Sequence, residues 1–259
     1  MKPSTMPVIF TAHGAPPMAL DQQWGSTFRT WGQKLPRPRA VLVVSAHWEE
    51  APLTLGRLGN HERLLYDFRM GDPKGPLYQI RYPAPGAPDL ELELKGIFAD
   101  QELRQKDRLL DHGAWTPLIH LWPKADIPVI QISMPRNMND AQLAAMGARL
   151  APLREQGVLI LGTGNLTHNL RWVFGNKGSG TPQWAAEFDA WCRQRVLAKD
   201  LDALIDWKAR APAAHIAHPT PDHYRPLLVV AGAAGDSAPS LQFTGFDYGS
   251  LSRLSVQYG

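Results

Sequence analysis

Four short stretches of the chain are apolar almost without interruption: residues 8–12, 40–46, 128–133 and 158–162, each rich in Val, Ile or Leu. A strand with one face in water alternates apolar and polar positions, whereas a continuous run suits a parallel strand covered on both faces. Helix-like stretches at 21–34, 90–99, 115–122 and 140–156 lie between or follow these runs. In the last, Asp140 stands as a cap, Leu143, Met146, Leu150 and Leu153 recur at helical spacing, and Gly157 supplies the stop. Strands alternating with helices predict an α/β fold, with a central mainly parallel or mixed sheet flanked by helices. The active site is expected at the carboxyl ends of its strands.

The remaining pattern adds one or two helices at 182–207 and a helix at 224–232, with Thr220 as N-cap and Pro221 at the first helical position. An alternating segment at 250–258 predicts a last strand. Residues 69–88 carry five prolines and three glycines without periodicity, which predicts a long ordered loop of functional use. No linker or repeat divides the sequence, so residues 1–259 are expected to form one catalytic domain.

Composition narrows the function classes. The net charge is only +3, and Lys and Arg are scattered, which argues against a nucleic-acid surface. Cys192 is the single cysteine, excluding a disulfide framework and a thiolate metal cluster, and its helical setting suits a small core residue. Residues 1–7 hold no signal-peptide apolar region, and no apolar stretch reaches the ~18 residues of a membrane span. A soluble cytoplasmic protein is the expectation.

Histidines carry the chemistry. His13, His47 and His168 follow strand candidates, and His223 sits in the turn-rich Pro219-Thr-Pro-Asp-His-Tyr224. Imidazole is the commonest protein metal ligand, and a catalytic ion needs about three protein ligands plus an open position. His13, His47 and His223 are the candidate ligands, and His168 is placed as a fourth ligand or a general base. The glycines in Gly162-Thr-Gly164 let backbone approach a ligand closely, although a phosphate loop would need a lysine at longer spacing. His112 either meets substrate at a helix entry or is a solvated neighbour of an Asp111 cap. His120 reads as a packed residue, and His61, His215 and His218 have weaker cases. Ser45 lacks the nucleophile elbow of a hydrolase, and Glu49 and Glu50 read as a solvated turn or an acid–base pair.

Taken in order, His13-Gly-Ala-Pro16, Ser45-Ala-His-Trp48, Tyr82-Pro-Ala-Pro-Gly86, Asp111-His-Gly-Ala-Trp115, Gly164-Asn-Leu-Thr-His-Asn-Leu170, Pro219-Thr-Pro-Asp-His-Tyr224 and Gly249-Ser-Leu-Ser252 resemble the 4,5-DOPA extradiol dioxygenase family. This is a branch of the class III extradiol ring-cleavage superfamily that includes the catalytic subunit of protocatechuate 4,5-dioxygenase. The motifs run from the first strand to the C-terminus. The first reads His-Gly-Ala-Pro where the family usually has His-Gly-Ser-Pro.

The resemblance implies that His13, His47 and His223 hold one divalent metal ion, with non-haem Fe(II) preferred and Zn²⁺ also suited to an all-histidine shell. It implies His168 as the active-site base, with a ligand role also open, and His112 as a substrate-contacting group that helps move protons. The expected reaction partners are a small aromatic diol and O₂. The loop 69–88, with Tyr78, Arg81 and Tyr82, is expected to close the pocket, and Arg69 or Arg81 to meet a substrate carboxylate. The alternatives are a zinc hydrolase using the same histidines and a non-catalytic metal-binding protein of the same superfamily. No membrane or nucleic-acid partner is expected, and nothing in the sequence marks an oligomer interface.

Overall fold

A computed structural model describes residues 5–176, 178 and 180–259, so residues 1–4 of the N-terminal segment lie outside it. Its strands are β1 (Val8–Ala12), β2 (Ala40–Ser45), β3 (Leu53–Leu55), β4 (Leu103–Gln105) and β5 (Val129–Gln131). The later strands are β6 (Val158–Gly164), β7 (Pro239–Phe243), β8 (Phe246–Asp247), β9 (Leu251–Ser252) and β10 (Ser255–Tyr258). Six of them form the central sheet in the order β5-β2-β6-β1-β10-β7. The strands β5, β2, β6 and β1 run parallel, while β10 lies antiparallel to both β1 and β7. The fold is therefore the expected α/β type with a mixed sheet.

The apolar runs are continuous because each strand packs on both faces. Phe10, Leu42, Val44 and Ile160 enter one core layer, and Ile9, Val41, Val43 and Leu161 enter the other. Helices Asp140–Leu150, Gln183–Leu197 and Arg225–Ala234 cover the first face, and helices Gln22–Lys34 and His112–Leu121 cover the second. No helix among the described residues is long and apolar enough to cross a membrane.

Several boundaries differ from expectation, each for a local reason. Asn139, not Asp140, caps the helix Asp140–Leu150 through a capping box with Gln142, because its side chain is the one placed to accept from the third helical N–H. Asp140 instead accepts from Arg225 and Trp207. The stretch to Gln156 tightens into a 3₁₀ turn that ends at Gly157, whose φ is +80°. The helix expected at 224–232 spans Arg225–Ala234 with Pro226 in its first turn, and the Thr220–Pro221 segment forms the turn before it. The last alternating segment divides, with β9 pairing β8 and β10 joining the main sheet.

Strand β6 lies between β1 and β2, so three parallel strands end side by side. Neighbouring strands stand ~4.8 Å apart. Side chains just past those ends can therefore meet over one spot, although more than a hundred residues of chain separate β6 from β1 and β2.

Candidate metal centre

His13 follows β1 directly, His47 lies two residues past β2, and His168 lies four past β6. His223 precedes the helix Arg225–Ala234, and His112 is the first residue of its own helix. All five line one cavity of about 620 Å³. The Nε2 atoms of His13 and His47 stand 3.2 Å apart. The ring of His223 is centred 5.2 Å from that of His13 and 4.9 Å from that of His47. His112 is centred 4.0 Å from His47.

Two sets of donors are close enough to share an ion: His13, His47 and His112 in one, and His168, Asp222 and His223 in the other. The expected ligands His13, His47, His223 and His168 thus line one cavity but fall in two neighbouring sets, and two acidic residues that sequence reasoning missed, Asp67 and Asp222, lie beside them. Neither carries a motif of its own. Asp222 was legible only as the neighbour of His223, while Asp67 reaches His112 across a 45-residue separation.

The hydrogen bonds around these rings fix where their lone pairs point. Thr163 donates its hydroxyl to the carbonyl of Gly113 at 2.6 Å, so its oxygen accepts from Nδ1–H of His13 at 2.8 Å. The Nδ1–H of His223 faces the carboxylate of Asp222, and Asp67 faces Nδ1 of His112 at 2.8 Å and Nδ1 of His47 at 3.6 Å. In His13, His112 and His223 the outer nitrogen therefore carries the proton and Nε2 keeps its lone pair.

These donors fit a metal ion. Nε2 of His223 is buried and has no hydrogen-bond partner, a costly state for a polar atom unless a cation engages it. The two Nε2 atoms of His13 and His47 face each other at 3.2 Å, a pairing that a shared cation satisfies. Two imidazole nitrogens bound at ~2.0–2.1 Å to one ion stand roughly 3–3.5 Å apart, matching the His13–His47 spacing.

Burial keeps the rings neutral and ready to ligate. It pushes the pKa of His13 and His223 well below 6.5, and the neighbouring imidazoles push the same way. Burial lowers His47 as well. Burial, followed by the nearby His218, lowers His168 to about 3. Burial alone would raise Asp67, but the hydrogen bond and charge of His112 outweigh it, so Asp67 titrates below the usual carboxylate range.

A rigid outer frame holds this arrangement. Asp111 is fully buried and caps its helix through the N–H of Ala114. It also accepts from Ser45 at 2.7 Å and from Gln131 at 2.9 Å. Arg108 donates to Asp111 and to the carbonyl of His47 at 3.0 Å. Asp111 is therefore a cap with further work, and His112 is buried against the cavity instead of solvated. Ser45 serves as a donor in this frame. Arg225 ties Asp140 to Glu49, and Lys106 pairs Glu50, so both glutamates are held in ion pairs outside the histidine cluster.

Glycines permit the close approach, though not of a ligand. A Cβ on Gly164 would fall 2.1 Å from the carbonyl oxygen of His223, and one on Gly113 would fall 2.6 Å from Oγ of Ser45. The strand end packs directly on the backbone that presents His223.

The expected substrate contacts from the loop are not brought to the cavity. Tyr82 is buried in the core and donates to the carbonyl of Trp122 at 3.2 Å. Arg81 points to solvent and donates to the hydroxyl of Tyr66 and the carbonyls of Tyr78 and Ile80. Residues 69–88 instead include a short 3₁₀ turn, Pro76–Gln79, and buttress the wall behind Phe68. Met70 is the loop residue that lines the cavity. The other walls come from Phe68, Leu170, Val173, Phe174, Tyr248 and Leu251, which sequence reasoning also missed. Their only signal was an unpaired apolar side chain in a short segment. His120 and His218 are packed as core residues, each donating to a backbone carbonyl, and His61 does the same toward Val129. His215 lines a neighbouring hollow beside His168.

Comparison with known proteins gives the family of this chain. The family described as the catalytic LigB subunit of aromatic ring-opening dioxygenase matches residues 4–257. The 4,5-DOPA dioxygenase extradiol of Beta vulgaris is 36% identical, with 96% of this chain and 95% of the relative covered. The protein of that name in Escherichia coli strain K12 is 34% identical, with 100% and 97% covered. A crystal structure of an uncharacterized Escherichia coli K12 protein superposes with a TM-score of 0.82 at 33% identity, over 98% of this chain and all of that one. These relatives favour a dioxygenase over the hydrolase and binding-module alternatives. The chain belongs to the LigB family of aromatic ring-opening dioxygenases, in the branch of the 4,5-DOPA extradiol enzymes.

Proposed function

We propose that residues 1–259 form one catalytic unit that opens the ring of a catechol with O₂ beside its two hydroxyls, using a single divalent metal ion. The observation that carries this reading is the pairing of His13 and His47, Nε2 to Nε2 at 3.2 Å, in the same apolar cavity as the buried, unpartnered Nε2 of His223. These three residues would hold the ion. Fe(II) is preferred over Zn²⁺ because ring opening by O₂ is redox chemistry, which Zn²⁺ lacks. Bound there, Fe(II) supplies the redox-active centre where a vicinal diol and O₂ meet.

The chain's own residues handle protons and position. His168, a neutral imidazole in the cavity lining, is placed to take a proton from a catechol hydroxyl. The Asp67 carboxylate keeps Nδ1 of His112 protonated and turns Nε2 toward the cavity, where it accepts a hydrogen bond from the second hydroxyl. Asp67 also stabilises the imidazolium if His112 takes that proton. Apolar walls limit water at the reacting ring. The product is a ring-opened semialdehyde.

The test is oxygen uptake by protein purified without oxygen and reloaded with Fe(II) or Zn²⁺, against a panel of catechols that includes DOPA and protocatechuate. Uptake with iron alone, together with a yellow product, is the expected result. Iron-loaded protein that takes up no oxygen across the panel would overturn the reading.

A further inference from the structure

The histidine floor of the cavity is polar, but its walls and rim are not. Among the described residues, the large hydrophobic side chains left exposed include Met70, Leu170, Phe174 and Tyr248, and all four line this one cavity. Phe174 is 63% exposed. Isolated apolar residues on a surface need no explanation, but a ring of them around the mouth of a cleft marks a binding site. Beneath the rim, Phe68, Val173 and Leu251 continue the apolar surface down to the imidazoles. The one carboxylate in the lining, Asp67, is already bound to His112, and no Arg or Lys side chain lines the cavity among the described residues.

Size points the same way. The cavity of about 620 Å³ lies in the ~300–1,000 Å³ range of sites that enclose drug-sized ligands. A bare catechol, with eight heavy atoms, occupies only the part next to the histidines. The remaining space is walled by aliphatic and aromatic side chains. An ammonium and a carboxylate placed there would lose hydration without gaining charged partners among the described residues, which is costly.

We infer that the substrate is a catechol carrying an apolar substituent, alkyl or aryl, which lies against Phe68, Leu170, Val173 and Phe174 and reaches out between Met70 and Tyr248. This rests on the reading of the cavity as a catechol site. It differs from a preference for the amino-acid side chain of DOPA.

The test is calorimetric binding to metal-loaded protein under nitrogen, with catechol, 4-methyl-, 4-butyl- and 4-hexylcatechol and DOPA. Burying one methylene tightens binding by about fourfold at most, so Kd is expected to fall two- to fourfold per added carbon until the cavity is filled. DOPA is expected to bind no more tightly than catechol. Replacing Phe174→Ala should shrink the advantage of hexylcatechol over catechol several-fold. A flat alkyl series, or DOPA as the tightest ligand, overturns the inference. Ring opening is followed in parallel on the same compounds. A steep binding series without ring opening would sink the dioxygenase reading alone, whereas ring opening with a flat series would sink only this one.

Discussion

The imidazoles of His168 and His223 lie face to face, with 3.4 Å between ring centroids and 6° between ring planes. Imidazole lone pairs lie in the plane of the ring. Two parallel stacked rings therefore direct their lone pairs along separate planes and not toward a common point. His223 is held by Asp222, which leaves Nε2 as its free donor. Under the proposed function His223 would hold the metal and His168 would take the proton.

Replacing His223→Ala should therefore abolish stoichiometric metal binding and turnover together. Replacing His168→Gln should leave metal content near one per chain and lower kcat by about 10²–10⁴-fold, the usual contribution of a positioned acid–base group. Metal analysis beside oxygen uptake checks both. Loss of metal in the His168 variant would mean that the stacked ring is a ligand after all.

Thr163 would act on the proposed metal through His13. A Thr163→Val change keeps the shape but removes the acceptor for Nδ1–H of His13 and the donor to the carbonyl of Gly113. Loss of an outer-shell partner typically costs 10–100-fold in metal affinity or activity. Competition with a calibrated chelator should show a drop of that size in affinity. Leaving two buried polar groups unpaired should also lower unfolding stability by about 1–3 kcal/mol each. An unchanged affinity would place the hydrogen bond outside the function of the site.

Asp67 should matter for turnover more than for metal retention. Asp67→Asn keeps the contact but removes the charge that holds Nδ1 of His112 protonated. The expectation is a fall in kcat of about 10–100-fold with metal content retained, and a pH profile whose limbs move relative to the parent. A change confined to KM would assign Asp67 to substrate binding instead.

Acid should destabilise the fold through its buried histidines. His218 is buried between Trp207 and Tyr224, and that burial depresses its pKa from 6.5 to about 4. Between those values the unfolded chain binds a proton that the folded chain refuses, so this stability is present above pH 6.5 and is lost as pH falls toward 4. The loss is ~1.4 kcal/mol per pH unit, or about 3 kcal/mol over the window. Urea unfolding between pH 7 and pH 4 should show at least this slope, since other buried histidines add to it, and His218→Gln should reduce it by about that amount. An equal slope in the variant would move the effect to other groups.

The α/β class and its strands were legible because strands buried on both faces leave an unbroken apolar signature that needs no partner to be seen. The histidines were legible for a related reason: ligand-bearing side chains collect just past strand ends, and His13, His47 and His168 stand there in the sequence itself. Mirror examples show the limit. Tyr82 and Arg81 looked like cavity residues by proximity to motifs, yet one fills the core and the other faces water, because a loop's path depends on what it packs against. Asp67 gave no signal, and Phe68 and Phe174 gave only that of a lone apolar side chain, since each acquires its role only by meeting residues far away in the chain. The order β2-β6-β1, which places three strand ends side by side, is likewise a product of long-range pairing. Local pattern thus determined which residues could do the chemistry. Only tertiary packing decided their tautomers, their neighbours and the apolar walls around them, because hydrogen-bond geometry and burial exist only between segments that folding brings together.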